Sequence, residues 1–434
     1  MKRLTCVVLG CGDRGMRYAA YAKIAPKELE VIGAIDISEM RLGRMKQAFS
    51  LSDEQLYRNL SQFLEGNVQC DIVINATMDQ LHYSTSMQLL EKGYNVLLEK
   101  PITANVDELL EIERKAKENG CKVVICHVLR YTPFYSKIKE IVDSGKIGKI
   151  VNMQLNEHVW VGHFVGAYVR GKWRSEKECG SGLLLAKCCH DTDLLCWLNN
   201  ATAPSKVSSF GQKAYFTEEN APQGATRYCY ECPCREECIY NAERFTIERD
   251  FTPFYTWAAI GKPIEEITLE EKKAFLTKDV YGQCAFKTDM DIVDRQCVSV
   301  QFANGSIATL NMVGATCKAG RHIHIICEYG EILGYVEENK LTVRVFNRTR
   351  MEYDESVIDL SAEVDLSKED NSIGGHYGGD YYIMKDLVRF LNDEATSAAT
   401  TVISDSINGH LICYAAEKAR KQSVVVDLSV EYSR

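Results

Sequence analysis

The residue types able to do chemistry fall in five places along this chain. Near its start, Gly10-Cys11-Gly12-Asp13-Arg14-Gly15 spells G-x-G-x-x-G between an apolar run, Leu4 to Leu9, and a helical pattern, Met16 to Ile24. Strand, glycine turn and helix in that order can cradle a dinucleotide. Gly10 allows the tight turn, Gly12 lets a pyrophosphate approach the backbone, and Gly15 lets helix and strand pack closely. The phosphates then meet the free N–H groups of a helix N-terminus. A second apolar run, Glu30 to Ile35, ends at Asp36, whose carboxylate suits a ribose 2′-hydroxyl. It repels a 2′-phosphate, which favours NAD over NADP, although Arg41 and Arg44 just beyond could accept one.

Lys100, next to Pro101 at the end of a strand pattern, is placed to put positive charge beside a developing oxyanion; burial there would lower its pKa and let it relay a proton. His190 is a candidate general acid/base, with Asp193 three residues on and Lys187 three before it on one helical face. The segment 157–178 gathers Glu157, His158, Trp160, His163, Tyr168, Arg170, Trp173 and Arg174, types that suit sugar faces and hydroxyls, or the packing between two domains. Gly374 to Asp380, with His376, is a glycine-rich loop entering a helix and could meet substrate or serve as a linker. Cys229, Cys232, Cys234 and Cys238 form C-x2-C-x-C-x3-C, which could hold structural zinc or simply pack a loop; no metal is assigned.

These groups need a scaffold. Up to His127 the pattern alternates strands (4–9, 30–35, 55–58, 71–76, 95–99, 122–127) with helices (38–49, 59–64, 82–92, 105–119), which predicts a doubly wound parallel sheet. Its ligand belongs beyond the C-terminal strand ends, where Gly10, Asp36, Thr77, Glu99-Lys100 and His127 fall. Beyond a helix at 134–142, strands at 150–159, 205–216, 297–303, 306–313, 322–329 and 341–346 are separated by turns, and Asn304-Gly305 is a hairpin signal. Such a pattern predicts a large, mainly antiparallel open sheet, closed by helices at about 377–393 and 404–420. The expected division is residues 1–128 for the dinucleotide and 129–434 for substrate and self-association, with a cysteine-rich insertion at about 220–262.

At 434 residues the chain exceeds one ordinary core. Its 46% apolar and 26% charged residues are those of a soluble globular protein, and a net charge of −9 argues against a nucleic-acid partner. No apolar run has the length to span a bilayer. Lys2-Arg3 before Leu4 to Leu9 imitates a signal peptide, but the glycine fingerprint interrupts it, so it is read as the first strand. The 18 cysteines are expected as thiols in a reducing cytoplasm.

The chain resembles the Gfo/Idh/MocA oxidoreductases in G-C-G-D-R-G at 10–15, N-A-T at 75–77 with His82, E-K-P at 99–101, H-V-L-R-Y-T-P-F-Y at 127–135, R-G-K-W-R at 170–174 and K-C-C-H-D-T-D-L-L at 187–195. The resemblance implies a Rossmann domain followed by an α/β domain with a large open sheet, a bound nicotinamide cofactor, and sugar- or cyclitol-like substrates. It implies that Thr77, His82 and Glu99 lie on the cofactor side. It also implies that His190 is the catalytic histidine, with Lys100 at the cofactor and substrate junction; Lys187, on the same helical face, is expected as a further catalytic partner, and His127, Arg130, Glu157, Arg170, Trp173, Arg174, Asp193 and His376 are expected around substrate. One departure is Ala186, where many members carry an aspartate four residues before that histidine. Three functions stay open: an NAD(P)-dependent dehydrogenase acting on a ring CH–OH, a glycosidase using transient oxidation and elimination, and a non-catalytic NAD-binding protein. A homodimer or homotetramer, joined through the open sheet face, is the expected assembly.

Overall fold

The computed structural model describes residues 1–200, 202–363 and 375–432. Six strands, β1 (Leu4–Leu9), β2 (Leu29–Ile35), β3 (Leu56–Tyr57), β4 (Ile72–Asn75), β5 (Val96–Leu98) and β6 (Val123–Ile125), form a sheet in the order β3-β2-β1-β4-β5-β6. Every pairing is parallel. The central strands are covered on both faces, which is why they are nearly continuous apolar runs. Strand order reverses between β1 and β4, opening a crevice at their C-terminal ends. The helix after the glycine turn differs from expectation. It starts at Asp13 with Gly12 as N-cap and breaks at Ala20 before a short turn, Tyr21–Ile24.

Nine strands build the second sheet: β7 (Ile150–Trp160), β8 (Pro204–Gln212), β9 (Arg295–Phe302), β10 (Ile307–Thr316), β11 (Gly320–Cys327), β12 (Gly330–Tyr335), β13 (Lys340–Asn347), β14 (Glu352–Asp359) and β15 (Val426–Asp427). Their order is β14-β13-β12-β11-β7-β10-β9-β8-β15, antiparallel except for the parallel β7–β10 pair. Strand β9 alternates exposed and buried along its whole length, because one face packs inward and the other is open. Helices Leu183–Leu198 and Ile403–Gln422 cover the inner face and pack on each other. Asn304-Gly305 turns the β9–β10 hairpin, with Gly305 at φ +86°. Between β8 and β9 a long segment carries short helical turns, one eight-residue helix, Leu269–Leu276, and a small core of its own, Trp257, Ile267, Leu276 and Tyr281; it contains the cysteine-rich insertion.

Two glycines of the fingerprint are demanded by the fold itself. Gly10 sits at φ +88°, and a Cβ there would lie 2.4 Å from the Ala76 carbonyl oxygen; at Gly15 it would lie 2.1 Å from the Gly10 oxygen. Gly10→Ala combines left-handed strain with a backbone clash, and we expect it to cost about 3 kcal/mol. Thermal denaturation checks this, and a midpoint equal to the parent's would contradict it.

Candidate active site

At Gly12, in contrast, a Cβ would meet no protein atom within 4 Å. The space beside the turn is therefore open, and the first-turn N–H groups of helix Asp13–Ala19 border it. Asp36, buried at the tip of β2, accepts hydrogen bonds from the N–H of Cys11 (2.8 Å) and of Ser38 (2.8 Å). Arg41 lies 3.6 Å from the same carboxylate. The residues present thus fit a dinucleotide: backbone room at Gly12, a helix N-terminus, and a carboxylate fixed where a ribose would lie.

Arg14 crosses from this turn to the next two strand ends. Its Nε donates to Glu99 Oε1 (2.7 Å), and its two terminal nitrogens donate to Asp380 (3.0 and 2.7 Å). Tyr18 also donates to Glu99 Oε1 (2.7 Å), and Glu99 Oε2 accepts from the Lys100 N–H (2.8 Å). Burial alone would raise the Glu99 carboxyl, but Arg14 and Lys100 outweigh it and hold it below the usual carboxylate range. Thr77 is turned by Asn75, its hydroxyl donating to Asn75 Oδ1 (2.9 Å). Asp13 pairs with Arg17 one turn on (2.9 Å).

Lys100 extends into the interface between the sheets and donates from Nζ to the Ala186 carbonyl (3.0 Å). This corrects the expectation that burial lowers its pKa. Burial does press it down, but Cys189, Glu99 and Asp79 together raise it above the usual lysine value, so Lys100 is a permanent cation. His190 follows one turn after Ala186 on the same helix and is 5% exposed. Its imidazole is held well below the usual histidine pKa by burial, then by Lys100, His127 and His376. It is therefore neutral and able to accept a proton.

Lys187 behaves oppositely to Lys100. Burial lowers its pKa, opposed by Glu157, whose Oε1 lies 3.4 Å from Nζ. Glu157, on β7, faces Arg321 across the β7–β11 pairing, and Arg321 Nε lies 2.8 Å from both Glu157 Oε2 and Asp191 Oδ1. Asp191 and Arg321 were not singled out from sequence. His376 reaches His190 (ring centroids 6.1 Å) while its Nδ1 faces Asp380 (3.2 Å). Gly374 lies outside the described residues.

Other expected ligands are committed elsewhere. Asp193 does not partner His190; Arg130 Nε donates to it (2.6 Å), and both are sealed in the interior. Arg170, 1% exposed, donates to the carbonyls of Gln283 (2.8 Å) and Tyr240 (2.6 Å) and so anchors the insertion. Arg174 pairs with Asp289 (2.6 Å). Both ring nitrogens of His82 face carbonyls, Pro101 (2.6 Å) and Thr77 (3.2 Å), so it ties the two loops together. Trp173 does border the cleft. Its Nε1 donates to Asp79 (3.2 Å) and its ring meets Tyr255 of the insertion edge-on at 5.6 Å. Glu157 lies on β7, and a chain of helical turns covers 161–169.

All 18 cysteines are free thiols. In the insertion, Cys229 and Cys234 direct their sulfurs at the carbonyls of Gln283 (3.7 Å) and Gln223 (3.2 Å). Among the described residues no three His, Cys, Asp or Glu side chains are grouped to hold a metal ion.

A parallel nucleotide sheet whose glycine turn opens toward a half-buried ammonium and a neutral imidazole defines a dinucleotide-dependent oxidoreductase. The profile described as "Oxidoreductase family, NAD-binding Rossmann fold" matches residues 4–127, and the GFO/IDH/MocA C-terminal domain matches 135–226. The chain belongs to the Gfo/Idh/MocA oxidoreductase family. The oxidoreductase YteT of Bacillus subtilis (strain 168) is 26% identical over 324 residues, 73% of this chain and 72% of its own. The scyllo-inositol 2-dehydrogenase (NAD(+)) of the same organism is 30% identical over 151 residues, 34% of this chain and 42% of its own. The fold matches an Agrobacterium radiobacter oxidoreductase solved with NAD+, L-tartaric acid and magnesium, with TM-score 0.68, 13% identity and 99% of each chain covered.

The buried imidazoles set a pH dependence of stability. His127, His163 and His190 are held well below the usual value by burial, and His410 is pushed down to about 3. A group neutral when folded and charged when unfolded takes up a proton on unfolding, so stability rises with pH in that window. It is complete above about pH 6.5 and falls below it, by about 1.4 kcal/mol per pH unit for each such histidine. Glu99 and Asp380, held low by ion pairing against their burial, add to the loss only below about pH 4. Urea unfolding at pH 7.5 and 5.5 checks this, and equal midpoints would contradict it.

Proposed function

We propose that this oxidoreductase acts on a ring CH–OH of a sugar, sugar derivative or cyclitol, using NAD. The observation that carries the reading is the pairing of Lys100 and His190: Nζ of Lys100 is tethered to the helix one turn before the imidazole, 3.0 Å from Ala186 O. Bound NAD supplies the hydride acceptor. The Gly12 backbone and the helix N-terminus at Asp13 would hold its pyrophosphate, and Asp36 its adenosine ribose. Lys100, a half-buried cation beside the cleft, orients the substrate hydroxyl and stabilises negative charge on its oxygen. His190, neutral, accepts the hydroxyl proton. Trp173 and Tyr255 give the cleft an apolar wall suited to the C–H face of a ring. Asp36 supports NAD over NADP. The relatedness to an inositol dehydrogenase supports a polyol substrate.

A glycosidase working by transient oxidation is favoured by one observation: the amine of Lys187, its pKa lowered by burial, stands beside the place of the missing aspartate and could serve as a second base. The two-domain division near residue 128 belongs to this reading. So does a homodimer or homotetramer formed through the outer sheet face, where Phe210, Ile307 and Val313 are exposed. We also place the protein in the cytoplasm, where its thiols stay reduced. No described helix is long and apolar enough to cross a membrane.

Lys100→Ala and His190→Ala should each lower kcat by about 100-fold or more while NAD titration stays close to the parent's. The panel is scyllo-inositol, xylose, glucose and p-nitrophenyl glycosides, followed by NADH absorbance and nitrophenol release. Parent-like turnover in both variants would remove the assignment. Nitrophenol release without net NADH would select the glycosidase.

A further inference from the structure

Three buried ring nitrogens have no hydrogen-bond partner among the described residues: Nδ1 of His190 and both nitrogens of His127. An unsatisfied buried polar atom is costly, so three in two adjacent side chains call for an explanation. The rings lie 5.6 Å apart between centroids at 79°. The two rings are therefore neighbours, edge to face, and a rotation of either about its side-chain torsions is what would bring a nitrogen of each within hydrogen-bond reach. On its far side, Nε2 of His127 lies 3.9 Å from Asp193 Oδ1. The ring of His410, 5.4 Å away, has both nitrogens engaged, Nε2 accepting from the Ile102 N–H (3.0 Å) and Nδ1 facing the Ser406 carbonyl (3.2 Å). His376, on the other side of His190, is engaged by Asp380.

We propose that His127 and Asp193 form a proton relay behind His190, drawing the substrate's hydroxyl proton inward while the C–H bond is oxidised. The inference rests on His190 being the base. A neutral imidazole carries one donor and one acceptor nitrogen, so it passes a proton by gaining one at one nitrogen and losing one at the other. Nδ1 of His190 is sealed inside, so Nε2 meets the substrate. The O–H bond of substrate breaks and an N–H forms at His190 Nε2. The N–H at His190 Nδ1 breaks and one forms at His127 Nδ1. The N–H at His127 Nε2 breaks and an O–H forms on Asp193. Once the oxidised substrate has left, the same bonds re-form in reverse and His190 Nε2 gives the proton to water entering the cleft, which restores the starting tautomers.

The surroundings fit a conduit that ends on a carboxylate. His127 faces Arg130, Lys100, Glu99, Asp193, His190 and His410; burial and then Arg130 and Lys100 keep it neutral, so it does not store the proton. The Asp193 carboxyl is raised by burial against the pull of Arg130 and His410, so it is the member best able to keep it. Asp193 therefore serves His190 through a second imidazole rather than by direct contact. The set also supplies a carboxylate to the histidine, a role Ala186 cannot fill.

The first test needs no substrate. Long-range proton–nitrogen spectra of enzyme labelled with 15N-histidine, saturated with NAD+, should show His190 as the Nδ1–H tautomer and His127 as the Nε2–H tautomer, both neutral at pH 6.5. The opposite tautomer at either ring overturns the relay. The second test uses the panel polyol that reduces NAD+, in H2O–D2O mixtures. A curved dependence of kcat on deuterium fraction, becoming linear in His127→Asn with kcat about tenfold lower and KM little changed, supports more than one proton in flight. A linear dependence in the parent, or the same curvature in His127→Asn, overturns it. Parent-like turnover in His190→Ala defeats the underlying reading instead, and leaves the tautomers as a separate measurement.

Discussion

The guanidinium of Arg14 is clamped between Glu99 and Asp380, and the geometry of the cleft depends on that clamp. It joins three segments that are far apart in sequence: the glycine turn, the end of β5 that carries Lys100, and the first turn of helix Gly379–Leu391. Asp380 is fully buried and also holds His376, so the clamp reaches the face of His190. A buried charge left without its partner costs roughly 3–5 kcal/mol, so the three segments are strongly coupled. The same carboxylate of Glu99 fixes the Lys100 backbone through its N–H. Cofactor cradle and reacting groups are thereby set by one electrostatic contact, and a shift in the turn is passed directly to the lysine.

Two lysines in one cleft are driven in opposite directions, and this separates their roles. Lys100 is surrounded by Cys189, Glu99 and Asp79, which overcome its burial. Lys187 has Glu157 but also feels Arg321 and Lys100, so its burial prevails. Titratable neighbours whose environments push their pKa values apart are the pattern by which one site holds a fixed charge and a proton carrier together. The cross-strand pair Glu157–Arg321 is what positions this second group. It exists because β7 and β11 are antiparallel neighbours in register, although some 160 residues separate them.

Much of the first sheet was legible because buried parallel strands are short apolar runs ending in turn residues, and all six appear in the sequence. The glycine turn and E-K-P were legible because their chemistry is local. The second sheet was harder. Strand β14, E-Y-D-E-S-V-I-D, is an edge strand exposed on nearly every residue, so it has no apolar alternation to detect. Strand β12 is six residues with glycines at its first and fifth positions. The parallel β7–β10 pairing is a long-range fact no local pattern encodes. The partner of Asp193 was misjudged for a related reason. In helix Leu183–Leu198 every residue except Lys187 is buried, so spacing defines no single face, and a carboxylate one turn from His190 turns instead to Arg130. Tyr255 stayed hidden because it enters the cleft from a remote segment.

Residue types that invite binding were in several cases claimed first by packing. Arg170 illustrates how: an arginine beside aromatics suggests a ligand, yet once sealed from water its donors must be satisfied, and the nearest acceptors are backbone carbonyls of the insertion. Pinning the insertion in this way has a chemical consequence. It brings Tyr255 against Trp173 and His163, walling the cleft with rings. An aromatic wall excludes water and lowers the local dielectric, and every charge effect described above grows as it does so. The depressed imidazole of His163, which stacks on Tyr255, lies inside that enclosure, so the cysteine-rich segment helps set it while carrying none of the reacting groups.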